Sequence, residues 1–249
     1  MCYDFHRAAV RPRNKEENFM KKILSLVLAL CLMLGCTSAL AAGKLVVNQE
    51  TYTPIELYND SFYAYIFVEV TNSGDKNVEF GSGILEVLNA DGDALESFEL
   101  YSAYPEVLAP GEVGYISYYR GVDDAKSIED MPDYLLTVSG KSSKDEAPQR
   151  LSATAVVEEV PYWSDTQYQV TITITNESDK TLYDAYVPFA VYDAAGKLLY
   201  ADYTTLYNVG LPSGSTIEVR QTINDAFLTL WKTAGTIPTT VTAIPYAEK

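Results

Sequence analysis

Apolar and polar residues alternate along most of the chain with a period of two. In residues 168–175 every second residue is apolar, and the residues between are Gln or Thr. Similar alternation occurs in residues 64–70 and 187–191. Because successive side chains of a strand point to opposite faces, this pattern predicts strands with one buried face. The residues predicted to face the core are Ala64, Ile66, Val68, Val70, Leu85, Val87, Tyr168, Val170, Ile172, Ile174, Val187, Phe189 and Val191.

The strand pattern occurs twice, as an internal repeat. Asn72 corresponds to Asn176 and Gly92 to Gly196, both at an offset of 104 residues. Further along, Gly111 corresponds to Gly214 and Tyr104 to Tyr207, at an offset of 103. The change of offset from 104 to 103 residues is typical of two copies in which one loop differs in length by one residue. We therefore predict two copies of one domain, residues 44–145 and 150–249, with the polar segment 141–150 as linker.

Each copy is predicted to be almost entirely β. About seven short strands fall within roughly 100 residues, and glycine-containing turns such as 89–92 and 193–196 join them as hairpins. Helical turns are predicted at 123–130 and 225–233. The predicted fold class is all-β, with two tandem antiparallel immunoglobulin-like β-sandwiches.

The second copy carries a recognisable motif. The residues that carry it are Thr181-Leu182-Tyr183-Asp184, then Val187, Phe189, Val191, Tyr192, Asp193 and Gly196. This segment resembles the FxLYD family of bacterial extracytoplasmic domains, with Lys180 in place of the family's Phe. The first copy has Val78-Glu79-Phe80 in place of Leu-Tyr-Asp. The resemblance implies a β-sandwich on an exported or envelope protein, and it brings no catalytic residues.

The region from Met20 has the parts of a secretory signal peptide. Two lysines follow Met20, an apolar run covers residues 23–34, and small residues end in Ala39-Leu40-Ala41. The run is too short to cross a bilayer, which takes about 20 residues in a helix. We predict that residues 20–41 are a signal peptide cleaved after Ala41.

Residues 1–19 precede this signal. Lys15-Glu16-Glu17 back-translates to AAGGAGGAA, which contains a ribosome-binding sequence, and two further codons separate it from Met20. Our hypothesis is that Met20 is the start and that residues 1–19 are a translated leader. The alternative is an unusually long basic region of the signal, and mass spectrometry of the precursor separates the two.

Cys36 provides an alternative to full secretion. The segment Met33-Leu34-Gly35-Cys36 resembles the lipobox of bacterial lipoproteins in its Gly-Cys end, whereas Leu34 stands where a small residue is usual. If Cys36 is acylated, the protein is a lipoprotein. A lipid at Cys36 is the one route by which the sequence predicts attachment to a membrane.

Composition restricts the chemistry of the mature chain. Asp and Glu number 34 against 18 Lys and Arg, a formal net charge of −16, which argues against nucleic acid as a partner. All three cysteines and the only histidine lie at or before Cys36. The predicted mature chain therefore offers no disulfide, no Cys/His zinc site, no cysteine nucleophile and no histidine triad.

Carboxylates are the abundant acid–base groups that remain. The candidate pairs are Glu158-Glu159, Asp123-Asp124 and Glu129-Asp130. Neighbours on a strand point to opposite faces, so adjacency argues against cooperation in a carboxylate-based hydrolase. We predict that the protein is not an enzyme, and the hydrolase is the third interpretation.

We predict that the protein has no cofactor, and the alternative is a bound calcium ion. Residues 89–93 resemble the start of a calcium-binding loop, which takes oxygens from carboxylates and carbonyls. Ala94 stands where that loop needs Gly, and Lys197 replaces Asp93 in the second copy. A turn that persists without its charges favours a purely structural role.

Three aromatic residues of the first copy are the candidate binding residues. Tyr63, Tyr65 and Phe67 occupy the strand face opposite the predicted core residues, where the second copy has Gln167, Gln169 and Thr171. An exposed aromatic strip stacks on sugar rings or anchors protein partners. The alternative is that the three rings pack under a loop or against the second copy.

The sequence therefore predicts a non-catalytic binding or structural module, secreted or attached to the surface of a bacterial envelope. Its predicted partner is an envelope protein or polysaccharide. The alternative is a carbohydrate-binding or adhesive protein that uses the aromatic strip.

Overall fold

The computed structural model describes residues 43–57, 61–163 and 165–247. The predicted leader, the signal peptide and Cys36 lie outside these ranges. Within them, no helix is both long and apolar enough to span a membrane.

In the described part of the first copy, there are seven strands and one short 3-10 turn at Ile128–Asp130. The strands are β1 (Leu45–Leu57), β2 (Ser61–Asn72), β3 (Val78–Leu88), β4 (Ala94–Leu100), β5 (Val107–Leu108), β6 (Val113–Gly121) and β7 (Asp133–Ser142). One sheet has the order β1-β2-β6, and in the other β3 pairs with β4, β5 and β7. All these pairings are antiparallel.

Among its described residues, the second copy has eight strands and one α-helix. They are β8 (Gln149–Arg150), β9 (Ser152–Tyr162), β10 (Asp165–Thr175), β11 (Ala185–Tyr192), β12 (Leu198–Leu206), β13 (Thr216–Thr222), α1 (Asp225–Ala234), β14 (Thr240–Ala243) and β15 (Tyr246–Ala247). One sheet has the order β9-β10-β13, and in the other β11 pairs with β12, β14 and β15. The N-cap Asn224 accepts a hydrogen bond from the Ala226 N–H, and Gly235 ends α1 with φ 65°.

The two copies share their strand order. Each copy has one three-stranded sheet, β1-β2-β6 or β9-β10-β13, and the hairpin β3–β4 or β11–β12 belongs to its other sheet. Gly92 and Gly196 close equivalent hairpins with φ 85° and 79°, which only glycine adopts without strain. The predicted all-β, sandwich-like fold is confirmed.

The predicted buried faces are also confirmed, except at Tyr168. Ile66, Val68 and Leu85 are fully buried between the two sheets of the first copy. Ile172 and Phe189 hold the equivalent places in the second copy, where Phe189 is 1% exposed. Tyr168 is only half-buried, and its ring lies 5.8 Å from Trp231 of α1.

Segment 141–150 joins the copies without separating them. Its first residues extend β7 and its last two form β8, so only residues 143–148 lie outside strands. The described residues belong to one compact unit, and a single hydrophobic cluster includes residues of both copies. The copies are therefore packed together along a continuous interface.

Candidate functional site

The aromatic face of β2 is buried, which corrects the expectation of an exposed strip. Tyr65 is 8% exposed and Phe67 is 1% exposed, while Tyr63 is half-buried. The Phe67 ring lies 4.8 Å from that of Tyr200 and 5.5 Å from that of Phe227. Strand β12 and helix α1 of the second copy thus cover this face. The alternative interpretation, packing against the second copy, is what the structure shows.

Buried polar contacts reinforce the same interface. The Tyr192 hydroxyl donates to Oε2 of Glu69 at 2.5 Å and lies 3.2 Å from the Tyr115 hydroxyl. Burial raises the pKa of Tyr192, and it raises that of Tyr115 to about 12. Both hydroxyls therefore stay protonated at neutral pH, and they connect β2 and β6 of the first copy to β11 of the second.

Arg150 connects the copies at the end of the linker. Its guanidinium donates to Oε1 of Glu112 at 3.1 Å and to the Val113 carbonyl at 3.1 Å, both in the first copy. It also donates to the Ile244 carbonyl of the second copy at 3.2 Å. One side chain thus holds both copies at one point, which fixes their relative position.

A cleft lined by tyrosine rings opens beside Arg150, between the two copies. Its volume is about 340 Å³, in the range of small-ligand sites. We define the tyrosine cleft by the five rings that line it, which are Tyr104, Tyr186, Tyr203, Tyr207 and Tyr246. Glu106 and Glu146 also line it, together with Pro105, Val107 and Pro148.

Regular backbone structure holds four of these rings in place. Tyr104 is fixed by two backbone hydrogen bonds with Tyr115, of 2.8 and 2.9 Å. Tyr186 lies on β11 and is directly opposite Tyr246 on β15. Tyr203 lies on the neighbouring strand β12, and Tyr207 follows the end of that strand. The cleft is therefore built from strands as well as loops, which preorganises its walls.

The rings contact one another as two stacked pairs. Tyr104 and Tyr203 stack with ring centroids 3.7 Å apart. Tyr186 and Tyr246 stack at 5.2 Å with planes 7° apart. The pairs are linked by Tyr104 and Tyr186, whose centroids are 6.4 Å apart, and Tyr207 meets Tyr186 edge-on at 6.3 Å. Because the rings already hold one another in place, ordering their side chains on ligand binding costs less conformational entropy.

The Tyr203 hydroxyl at one end of the cleft is protonated at neutral pH. A hydrogen bond with the Tyr104 side chain and partial burial raise the pKa of Tyr203 to about 12. Behind Tyr203, Asp202 accepts hydrogen bonds from the Tyr200 hydroxyl and from the Tyr203 N–H, both at 2.8 Å. Burial raises the pKa of the Asp202 carboxyl. All three residues lie on β12, so Asp202 holds the local geometry of the strand that carries Tyr203.

The carboxylate pairs considered for catalysis are exposed. Glu158-Glu159, Asp123-Asp124 and Glu129-Asp130 all lie on the surface. The Glu159 carboxylate accepts from the Thr166 hydroxyl and lies 3.6 Å from the Lys232 ammonium. No pair lines the tyrosine cleft.

The candidate calcium turn is held by its own backbone. Oδ1 of Asn89 accepts from the N–H groups of Asp91 and Asp93, at 2.9 and 3.0 Å. Asp193 makes the same two bonds in the second copy, to Ala195 and Lys197. In the described ranges, His, Cys, Asp and Glu side chains form no group of three that could hold a metal ion.

Sequence reasoning identified parts of the tyrosine cleft without assembling it. The repeat matches Tyr104 with Tyr207, and Tyr186 directly precedes the inward-facing Val187, so alternation places it on the outward face of its strand. Tyr203 and Tyr246 had no such signal, because each reaches the cleft through strand pairing. The high tyrosine count, 20 residues, was the remaining signal.

Comparison with known proteins leaves the family open. No protein-family model and no curated protein matches the chain. Among solved structures, the chain is similar to the crystal structure of red sea bream transglutaminase, at 12% identity and a TM-score of 0.21. The match covers 72% of this chain and 27% of that one. A likeness at this level carries no statement about activity.

Proposed function

We propose that this chain is a non-catalytic binding module of a bacterial envelope and that the tyrosine cleft is its binding site. The observation that carries the proposal is the convergence of five tyrosines, from both copies, on one cleft. Tyrosine supplies a large contact area at low cost in conformational entropy, so it is enriched at binding surfaces. Two of these rings stay accessible to a ligand, since Tyr203 is 38% exposed and Tyr207 is 62% exposed.

Carbohydrate is one class of ligand for this site, and the tyrosine cleft takes the place of the β2 strip as the candidate carbohydrate-binding surface. The β2 strip is covered by the second copy, whereas Tyr203 and Tyr207 of the cleft are exposed. An envelope polysaccharide offers sugar faces that stack on such rings. The observation in favour is the exposure of Tyr207 beside Tyr186, with which it makes an edge-on contact.

The binding proposal is tested by retention on envelope fractions. Wild-type protein is incubated with purified cell-wall polysaccharide and with envelope protein, and the bound fraction is measured. We expect Tyr207→Ser to lower retention at least fivefold. Tyr101→Ser is the matched control, because Tyr101 is 72% exposed and lies outside the cleft. Equal retention of both variants and wild type would remove the cleft from the proposal.

A structural role is supported by a different observation, the contacts of Arg150 and of the β2 face. These contacts fix the two copies against each other, as suits a rigid spacer that carries another envelope component. If the protein is such a spacer, Tyr207→Ser has no effect in the retention assay. Substitutions that loosen the contact between the two copies instead impair assembly with the envelope component.

The extracytoplasmic location is proposed from the sequence around residues 20–41. The test is N-terminal sequencing of the protein exported by a bacterial host that makes it from Met20. A mature chain beginning at Ala42 supports full secretion. An acylated Cys36 supports the lipoprotein form, and a protein that keeps the apolar run contradicts both forms.

A further inference from the structure

We infer that the tyrosine cleft takes an organic cation, specifically a quaternary ammonium group. The inference rests on the proposed function and names the class of ligand for the same site. It is carried by two independent features of the cleft, its aromatic walls and the sign of its charges.

The aromatic walls supply the first feature. The face of a tyrosine ring is the negative end of its quadrupole, so it attracts a cation placed within about 6 Å of the ring centroid. Tyr186 and Tyr207 meet at 76°, with centroids 6.3 Å apart. Two rings at a steep angle form a corner, and a cation in that corner contacts more than one ring. Recognition of quaternary ammonium groups uses such sets of rings.

The charge of the cleft supplies the second feature. Glu106 and Glu146 both line it, and both residues are exposed. None of the described residues that line it is basic. The whole chain adds a formal net charge of −16, which raises the local concentration of cations.

Arg150 does not cancel this negative charge. It pairs with Tyr246 in the β8–β15 ladder, so its backbone lies beside the cleft. Its guanidinium, however, is bonded to Glu112 and to the carbonyls of Val113 and Ile244. Because the Glu112 carboxylate compensates its charge, Arg150 adds no net positive charge beside the acidic residues that line the cleft.

The hydration of the cation decides between a quaternary and a primary ammonium group. A primary ammonium is a compact and strongly hydrated charge with three donors that need acceptors. Much of the cleft lining is tyrosine ring and proline surface, which satisfies none of these donors. A quaternary ammonium has no N–H donor, and its methyl groups pack against tyrosine rings and proline, so it loses less on entering the cleft.

The test uses three small probes of closely similar shape or charge. Choline carries the quaternary ammonium, 3,3-dimethylbutan-1-ol is its uncharged carbon analogue, and ethanolamine carries a primary ammonium on the same alcohol. Binding to the full mature chain is measured by titration calorimetry and by NMR shifts of the tyrosine rings. We expect choline to bind at least tenfold more tightly than either of the other two probes. Equal binding of choline and the neutral analogue, or no binding of choline, would overturn the inference.

Exposed variants keep this test independent of folding. Glu106→Gln with Glu146→Gln removes the charge at two surface positions, and Tyr207→Ser removes an exposed ring. We expect each variant to weaken choline binding at least fivefold, and Tyr101→Ser to leave it unchanged. Circular dichroism verifies that each variant is folded. Choline binding that is insensitive to all the cleft variants would place the cation elsewhere and overturn the inference.

Competition separates this inference from the proposed function. Suppose that the envelope fraction retains the wild type and loses the Tyr207→Ser variant, while choline at saturating concentration does not compete. The tyrosine cleft is then a binding site for a different chemistry, and only the cation inference fails. If choline binds the cleft but no envelope fraction is retained, the proposed envelope function fails and the cation site stands.

Discussion

At the residue scale, each copy has one buried asparagine that makes the same two hydrogen bonds at the same place in the repeat. Asn72 and Asn176 are both fully buried. Nδ2 of Asn72 donates to the carbonyls of Lys76 and Leu108, each at 2.8 Å. Nδ2 of Asn176 donates to Lys180 and Leu211, at 2.7 and 2.8 Å. One side chain thus connects the end of a strand, the following turn and a segment about 35 residues further along, which explains why the residue recurs in the repeat.

Replacing this asparagine with alanine is expected to destabilise either copy. Asn176→Ala leaves two carbonyls without their donor, and each buried unsatisfied group costs about 1 to 3 kcal/mol. Urea denaturation of Asn72→Ala and Asn176→Ala measures the loss. Asn48→Ala is the control, because Asn48 also makes two side-chain hydrogen bonds but is exposed. A loss below about 0.5 kcal/mol in both buried variants would contradict the role given to this residue.

Asp202 is expected to make the folded protein less stable as the pH rises, which is opposite to the usual effect of a carboxyl group. Burial raises the pKa of its carboxyl above the ordinary 3.8, so the folded state binds this proton more tightly than the unfolded state. Stability from this group is therefore fully present below pH 3.8, and it is lost as the pH rises through the folded pKa.

The difference between wild type and Asp202→Asn isolates that contribution. Asparagine keeps an acceptor for the Tyr203 N–H but does not titrate. We expect the stability of the variant relative to wild type to increase as the pH rises above about 4, measured by urea midpoints between pH 3 and 7. Asp91→Asn, at an exposed turn, is the control. A relative stability that is flat with pH would show that the carboxyl is not desolvated.

At the element scale, local alternation was enough to predict the inward faces. Ile172 and Phe189 are buried because each strand alternates apolar and polar residues over its own length, and that information is local. The outward face of β2 could not be assigned in this way. Tyr65 and Phe67 are covered by α1 and β12, which lie more than a hundred residues further along the chain. Only the contrast with Gln169 and Thr171 indicated that the face had a special role.

The burial of Phe189 gives a quantitative prediction for β11. Its side chain is 1% exposed and its ring lies 6.2 Å from that of Tyr200. Phe189→Ala is expected to lower the free energy of unfolding by about 3 to 5 kcal/mol, through lost burial and the cavity left behind. Tyr183→Ala, at a residue that is 58% exposed, should change it by about 1 kcal/mol or less. Chemical denaturation compares the two variants.

At the scale of the whole molecule, the tyrosine cleft depends on the packing of the copies. The repeat predicts that Tyr104 and Tyr207 are equivalent, and equivalent residues of separate domains have no reason to meet. They line the same cleft because the first copy contributes the loop after β4 and the second copy contributes the end of β12. No pattern within one copy contains that information, so the cleft could be found only from the assembled chain.

The shared interface also predicts how the molecule unfolds. Both tryptophans, Trp163 and Trp231, belong to the second copy, so tryptophan fluorescence reports on that copy while far-ultraviolet circular dichroism reports on both. Because Tyr65 and Phe67 of the first copy pack on Phe227 of the second, the copies should unfold together. In urea, the two signals of the wild-type chain are expected to have coincident transitions.

Removing the aromatic contact is expected to separate these transitions. The double substitution Tyr65→Ser with Phe67→Ser deletes two buried rings, each worth about 3 to 5 kcal/mol, and it leaves each copy with its own two-sheet core. The circular dichroism transition should then become biphasic, with one phase preceding the fluorescence change. Gln169→Ser with Thr171→Ser is the matched control at the equivalent positions of the second copy, where we expect a small shift and no separation. If the transitions of the aromatic variant stay coincident at the wild-type midpoint, the interface does not couple the copies, and the β2 rings are only ordinary strand residues.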